Sequence, residues 1–506
     1  MTRKHITSLR DYITALDAIG ELQRISAPVS LDLEAGAIIR RSYELKAPAP
    51  LFSNLTGYNV EPGFRVLGAP AGVSSQSGLY LARVALSLGL EPTASGREIV
   101  EALASARGLR GIKPKIVSTG PCKENIRLRD DVDITRVPAP LLHGGDGGRF
   151  INTYGTIVAR TPDGRWTNWS IARIQIIDAR RMSGIVAPSQ HIGRIHAMWK
   201  AQGKDMPFAL ALGVEPAIPF VSGMPIPEWE DEADYVGAYL GEAIEVVKCE
   251  TNDLHVPATT EIVIEGRLSA TDRVLEGPMG EYAGYQWRGV SSEKPVYHVE
   301  AMTFRNELIL PVVVAGEPVE EDHTAWGIPN AAEVLYALRK EGLPVTMVWP
   351  TLEAANHWLV VTVPKDWRVQ SGLSSTGLCR RYGDAIFGAK HGTGMVKVIL
   401  LEDDVDATDT SEVVWAFATR CHPGTGEHVF DARSNAALSV YLDDNEKKTM
   451  TATKAVYDCL TRDEWTGGRQ PSRTSLARGY PPDVRDRVLA NWSSAYGYPK
   501  ATGARA

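Results

Sequence analysis

A mixed α/β (α+β) protein, with a β-rich and largely antiparallel core followed by a smaller α/β region, is what the sequence predicts. Three observations carry that expectation. Residues 151–177 and 260–315 read as strand-length runs separated by turn chemistry. From Gly327 onward, helix-period and strand-period segments alternate, the pattern of an α/β unit. The chain is also 506 residues long, which a length prior divides into about two to four domains. The expected division is 1–326, 327–463 and a tail, 464–506, that ends in a docking helix.

The elements follow in order. Ser8 with Asp11 reads as a helix start, and Leu9, Tyr12, Ile13, Leu16 and Ile19 then share one face. Ser95 and Glu98 have capping-box spacing, with Ile99, Val100 and Leu103 beneath. Strands at 151–160 and 166–177 flank Pro162-Asp163-Gly164, where Pro fixes φ and Gly accepts positive φ. Residues 260–265 alternate, and 297–304 is expected to form a hairpin with 308–315 across Arg305-Asn306-Glu307. Past Gly327 come a helix over 331–341, a strand over 357–363, another helix and a strand over 395–401. After about Asp463 the chain turns Gly/Ser/Arg-rich. It then makes an amphipathic helix with Val484, Val488, Leu489 and Trp492, suited to a neighbouring subunit or to its own chain.

Bulk properties narrow the class. Acids exceed bases by seven (61 against 54) and no Lys/Arg stripe exists, which argues against nucleic acid as a partner. No segment reaches the ~18 apolar residues of a membrane span, and the N-terminus lacks the apolar stretch of a signal peptide. Five scattered cysteines in no CxxC pair fit reduced cytoplasmic thiols rather than a disulfide framework or a zinc site.

The chemistry-bearing residues fall in a few places. Asn168-Trp169-Ser170-Ile171-Ala172-Arg173 and Gln190-His191 lie within one short stretch. On a simple strand, Asn168 and Ser170 face opposite to Arg173, so one pocket using all three needs a bulge or a strand end. Taken alone, Asn168 and Ser170 are ordinary sheet-surface residues and His191 is a structural histidine. Glu232, in an acid cluster, reads by itself as a solvated helix start. The loop Glu276-Gly-Pro-Met-Gly-Glu281 is more specific: its glycines and proline exclude a helix and let backbone approach a ligand. Two glutamates beside one arginine cannot be equally acidic, which suits a proton donor next to an anchored carboxylate. The alternative is a surface loop paired to a nearby base. Lys390, flanked by glycines, suits a phosphate.

Together these residues resemble the UbiD-type decarboxylases, particularly the ferulic (phenylacrylic) acid decarboxylase branch. The match runs almost end to end, through Ala47-Pro-Ala-Pro-Leu-Phe-Ser-Asn54, Ser118-Thr-Gly-Pro-Cys-Lys-Glu-Asn125, Thr167-Asn-Trp-Ser-Ile-Ala-Arg173 and Gln190-His191. It continues through Val247-Lys-Cys-Glu-Thr-Asn-Asp253, Glu276-Gly-Pro-Met-Gly-Glu281 and Trp415-Ala-Phe-Ala-Thr-Arg-Cys421. The resemblance implies a split-barrel flavin-binding domain and a prenylated FMN supplied by a separate flavin prenyltransferase. It also implies a divalent ion (manganese, Mn2+) on the cofactor phosphate, a nearby potassium ion (K+), and a homodimer. By position, Asn168, His191 and Glu232 would hold the divalent metal. Trp169, Val221, Ser222, Met224, Glu232 and Arg420 would border potassium. Lys390 would reach the phosphate, while Thr153, Ser170, Ile171, Ala172, Arg173 and Gln190 would line the cofactor. Glu281, Arg173 and Glu276 would be catalytic, with Glu281 delivering a proton to the carbon that loses CO2.

Departures from cinnamate-type members fall in the substrate pocket, which Gln190 and Leu438 also border. Ala187 stands for Ile and Ala436 for Phe; Trp326 replaces Ile, Asp322 Thr and Tyr282 Met. Two truncations open room and Trp326 offers a stacking face. A fused-ring acid such as a phenazine, indole or naphthalene carboxylate is therefore expected. A pyrrole- or furan-type acid, with Trp326 filling the space, is the alternative. Asp322 and His323 would hydrogen-bond a ring heteroatom or support the wall. A non-catalytic flavin binder has no need of Arg173, Glu276 and Glu281 together, and a metal hydrolase would lack a flavin chromophore.

Overall fold

The computed structural model describes residues 3–436, 438–462, 464 and 471–499. The Gly/Arg-rich start of the expected tail, 465–470, lies outside them. Helix Leu9–Ala18 begins where predicted: the Ser8 side chain accepts the Asp11 N–H, and Leu9, Tyr12, Ile13 and Leu16 are buried. Helix Gly96–Ala106 carries the complete Ser95/Glu98 capping box, an arrangement in which the cap alone is worth ~1 kcal/mol.

The expected hairpin of 297–304 with 308–315 does not form. Strand Ile309–Val312 instead pairs in parallel with Arg65–Gly68, completing a four-stranded sheet with Leu22–Ile25 and Ala49–Phe52. All four of its residues are buried. A run apolar on both faces suits a covered parallel sheet better than a half-exposed hairpin.

The site is carried by a larger sheet, nine-stranded among the described residues. Its path runs Thr167–Ser170, Thr156–Arg160, Met206–Leu212, Ile262–Glu276, Ser292–Phe304, Arg181–Gly184, Ile174–Asp178, Phe150–Asn152, and the ninth strand, Asn125–Leu128, pairs with Ser292–Phe304 off this path. Every pairing on this path is antiparallel. The two strands expected at 151–160 and 166–177 are each broken, at 153–155 and at 171–173, and their halves sit at opposite ends of the path. Six strand spacings separate Thr167–Ser170 from Ile174–Asp178, roughly 29 Å on a flat sheet. The four residue steps from Ser170 to Ile174 reach at most roughly 14 Å. The sheet must therefore curl until its ends nearly meet. The result is the half-barrel that the resemblance implied, and the two breaks lie along its seam.

A second, five-stranded sheet orders Met347–Pro350, Trp358–Val363, Lys397–Glu402, Thr451–Asp458 and Glu427–Ser434. Helices Ile328–Lys340 and Ser375–Phe387 pack with it. Its buried residues form one apolar cluster with helices Gly96–Ala106, Ala217–Ser222 and Glu232–Leu240. The half-barrel interior packs as a separate cluster. Helix Pro482–Asn491 has no fully buried residue: Val484 and Val488 are half-buried and Leu489 is exposed. No helix of the described residues is long and apolar enough to cross a membrane.

Candidate active site

Strand Thr167–Ser170 ends at the seam, and the chain resumes as a strand only at Ile174. That strand end resolves the parity conflict between Asn168 and Arg173. Asn152 holds the break in place: its Nδ2 donates to the Ala172 carbonyl at 2.7 Å, and its Oδ1 accepts the Gly155 N–H at 2.7 Å.

At one end of the break is a buried polar cluster. Glu232 accepts from Asn168 Nδ2 and from the Trp169 N–H, each at 2.8 Å. His191 Nδ1 lies 3.6 Å from Glu232 Oε1, and Lys390 Nζ lies 2.7 Å from His191 Nε2. Glu232 and His191 each open a helix, Glu232–Leu240 and His191–Ala201. The solvated reading of Glu232 is thereby overturned, for it is 2 % exposed. The aligned peptide dipoles of two helix N-termini favour an anion here. Burial pushes Lys390 down to about 8. Asn168 Oδ1 and Ser170 Oγ are buried without a hydrogen-bond partner. An orphaned amide oxygen, an imidazole and a carboxylate form a donor set that fits a hard divalent ion.

At the other end, Arg173 meets two carboxylates. Its Nε and Nη2 fork onto Glu276 at 2.8 and 3.2 Å, and its Nη1 donates to Glu281. Glu276 is the last residue of strand Ile262–Glu276, and Glu281 lies in the connection to Ser292–Phe304. Burial raises the Glu281 carboxyl above its usual range, and Glu276 and Asp146 push the same way against Arg173.

Residues that the sequence did not single out fix this loop. Asp146 Oδ1 accepts the Gly280 N–H at 3.0 Å and Gln286 Nε2 at 2.7 Å. Gln175 Oε1 accepts the Gly277 N–H at 2.8 Å, and Gly147 donates to the Pro278 carbonyl at 2.8 Å. A Cβ on Gly147 would sit 2.0 Å from the Gly277 carbonyl oxygen, so only glycine fits. The run Gly144-Gly-Asp-Gly-Gly148 was the available signal.

The other expected positions divide. Gln190 stands at the position before helix His191–Ala201 without a side-chain capping bond, and Ile171 and Ala172 lie half-buried in the seam. Thr153 Oγ1 accepts the Val313 N–H at 2.9 Å. Ser222 Oγ lies 2.9 Å from Thr156 Oγ1, and its helix packs on strand Thr167–Ser170. That brings Val221, Ser222 and Met224 to the Trp169 side of the cluster. Arg420 is engaged elsewhere, forked onto Asp404 at 2.8 and 2.6 Å, so its expected place beside potassium has no support in the chain's hydrogen bonds.

Of the pocket positions, the Tyr282 and Trp326 rings meet edge-on, 5.5 Å apart at 67°. His323 has both ring nitrogens occupied: Nε2 donates to the Tyr282 carbonyl at 2.9 Å and Nδ1 accepts the Glu320 N–H at 3.0 Å. It supports the wall and has no nitrogen left for a ligand; burial pushes it down to about 4. Asp322 is half-buried, pushed up to about 7 by burial and by Glu281 and Glu321. Ala187, Ala436 and Leu438 are half-buried. Ser439 Oγ lies 3.3 Å from His357 Nε2, whose ring lies 6.1 Å from Tyr282, which brings Ser439, next to Leu438, to the same wall.

Three family models match in order. They are the 3-octaprenyl-4-hydroxybenzoate carboxy-lyase N-terminal domain over residues 13–103, its Rift-related domain over 115–318 and its C-terminal domain over 323–459. The chain belongs to the UbiD carboxy-lyase family. Among relatives in the UbiD family, pyrrole-2-carboxylic acid decarboxylase of Pseudomonas aeruginosa is 41% identical, covering 97% of this chain and 98% of its own. Ferulic acid decarboxylase 1 of Saccharomyces cerevisiae is 40% identical over 97% and 98%. The UbiD-class enzyme HmfF of Pelotomaculum thermopropionicum, solved in complex with FMN, superposes with TM-score 0.79 at 26% identity, covering 96% of this chain and 100% of its own. An evolved dimeric form of HmfF has been solved with prFMN.

Proposed function

We propose that this chain reversibly and non-oxidatively decarboxylates an aromatic or heteroaromatic carboxylic acid with prenylated FMN. One observation carries the reading: a proton-handling Arg173–Glu276–Glu281 set and a buried Asn168–His191–Glu232–Lys390 cluster lie at the two ends of one three-residue break. In this reading Asn168, His191 and Glu232 hold a divalent ion, manganese by the resemblance, and Lys390 takes the cofactor phosphate. Trp169, Val221, Ser222 and Met224 border a potassium ion. The bound flavin supplies the electron sink as CO2 leaves.

The chain's own residues do the rest. Glu276, forked onto Arg173, fixes the guanidinium plane so that it presents charge to a substrate carboxylate. Glu281, whose raised affinity for a proton keeps it able to donate, protonates the vacated carbon. A flavin prenyltransferase supplies the cofactor, and the exposed apolar side of helix Pro482–Asn491 serves a homodimer.

The pocket wall favours the smaller of the two substrate readings. Trp326 is wedged between Tyr282 and Gly394, where even an added Cβ would meet its ring at 2.5 Å. A ring filled in on both sides limits width, which suits a monocyclic heteroaromatic acid like that of the Pseudomonas relative. The fused-ring reading rests on the small side chains Ala187 and Ala436. The test is CO2 release from pyrrole-2-, furan-2-, indole- and phenazine-carboxylates and cinnamate, with mass spectrometry of the extracted cofactor. Pyrrole- or furan-carboxylate is expected to lead, and Trp326→Ala to shift preference toward the fused rings. Preference of the wild type for a fused-ring acid overturns the small-ring reading. An extracted cofactor that is not a flavin overturns the proposal.

A further inference from the structure

The five cysteines are dispersed in sequence, but the fold gathers three of them at the far end of the second sheet. Cys379 comes from helix Ser375–Phe387, His428 from strand Glu427–Ser434 and Asp458 from the end of strand Thr451–Asp458. One donor atom from each, a thiol sulfur, a ring nitrogen and a carboxylate oxygen, lies within 4.8 Å of the other two. Cys421 and Cys459 contact each other beside them.

A second observation points to a ligand. His428 is 6 % exposed, and its Nε2 is buried with no hydrogen-bond partner. A neutral imidazole nitrogen left unpaired in a dry site costs ~1–3 kcal/mol. Asp458 spends one carboxylate oxygen on the Leu460 N–H at 3.1 Å. Cys379 is fully buried.

We propose that Cys379, His428 and Asp458 form a second metal site that takes a borderline divalent cation of the zinc class. Sulfur, nitrogen and oxygen donors together select such an ion over magnesium or calcium, which take oxygen alone. Tetrahedral zinc, with bonds of 2.0–2.3 Å, sets its donors roughly 3.6 Å apart. Rotations of side chains on three rigid elements close that gap. The Cys379 thiol releases its proton to solvent on binding, and a water fills the fourth position.

Such an ion would tie the helix to the edge hairpin of the sheet. The same strand carries Lys454, whose Nζ donates to the carbonyls of Gly392 and Thr393 at 2.6 and 3.1 Å, just after Lys390. The site therefore braces the segment that brings Lys390 to the cofactor cluster.

Cobalt(II) separates this site from the Asn168–His191–Glu232 cluster, which has no sulfur. Full-length enzyme is stripped with chelator and titrated with Co2+, and then with Zn2+ as competitor. The expected result is a saturable thiolate-to-cobalt charge-transfer band, erased by Zn2+ and absent from Cys379→Ser. In His428→Gln the visible cobalt bands should shift and affinity should fall at least tenfold; this variant decides the matter if Cys379→Ser does not fold. No charge-transfer band in the wild type overturns the proposal. So does a band that survives in Cys379→Ser, or one unchanged in position and affinity in His428→Gln.

Discussion

Glu281 and Glu276 are the same residue type beside the same guanidinium, yet their surroundings divide the work. Glu276 receives two of the Arg173 donors and Glu281 one. Burial then raises the Glu281 carboxyl, with Glu276 and Asp146 adding to the effect. A donor acid is competent while protonated. Turnover limited by Glu281 should therefore be present below its raised pKa and fall as pH climbs through it. Glu281→Gln should lower turnover by ~10²–10⁴-fold, the usual contribution of a positioned general acid, and leave flavin absorbance unchanged. Undiminished turnover would remove Glu281 from the role. Asp322 offers a stability test. Its folded value of about 7 lies above its ordinary 3.8, so between those values the folded state holds a proton that the unfolded state has released. Unfolding free energy thus loses ground as pH rises from about 4 to 7. Asp322→Asn should flatten that slope and melt higher than wild type at pH 8, read by thermal unfolding at both ends of the window.

At the level of elements, the active site is a consequence of how two strands break. The turn at Pro162-Asp163-Gly164, the capping box at Ser95 and the face of the first helix were legible because each depends on neighbours in sequence. The breaks at 153–155 and 171–173 were not, because both flanks have strand-like composition and only closure of the sheet forces the chain to step across its seam. Membership of Asn168, His191 and Glu232 in one cluster was invisible to spacing for the same reason: two helix starts and a strand end meet only in three dimensions. The bland reading of Glu232 failed since its neighbours are acidic, but its side chain turns inward to Asn168 and the Trp169 N–H. The parallel pairing of Ile309–Val312 escaped because a short apolar run carries no sign of its partner. Gly147 is the most informative missed residue. Gly147→Ala should displace the 276–281 loop, since the new Cβ meets backbone at 2.0 Å. Misplacing a catalytic group by an ångström can cost ~10²-fold in rate. Turnover should drop by that order, while flavin and metal content stay at wild-type levels, measured by absorbance and elemental analysis; loss of all three together would mean general unfolding instead.

For the whole molecule, the decisive contact is between parts of the chain nearly two hundred residues apart. Lys390 follows helix Ser375–Phe387 of the second sheet, and its Nζ lies 2.7 Å from His191 Nε2, at the start of a helix packed on the half-barrel. In the proposed reading, side chains from both regions thus face one anion and one cation site. Ligands held there bind only the folded arrangement, so they stabilise it by mass action: about 2.7 kcal/mol when free ligand is a hundredfold above its dissociation constant. The consequence is a linked response. Chelation of the divalent ion from wild-type holoenzyme should lower the unfolding temperature and release flavin in the same step. His191→Ala removes the imidazole that touches both the carboxylate Glu232 and the ammonium Lys390. Protein carrying that change should purify with less metal and less flavin, and chelator should shift its melting curve less than it shifts that of wild type. Lys390→Met, which leaves Asn168, His191 and Glu232 in place, should keep a metal-dependent melting shift but hold flavin weakly. If chelator released metal from wild type without loosening flavin or lowering the melting temperature, the two regions would not be coupled through this contact, and the phosphate would have to be held elsewhere.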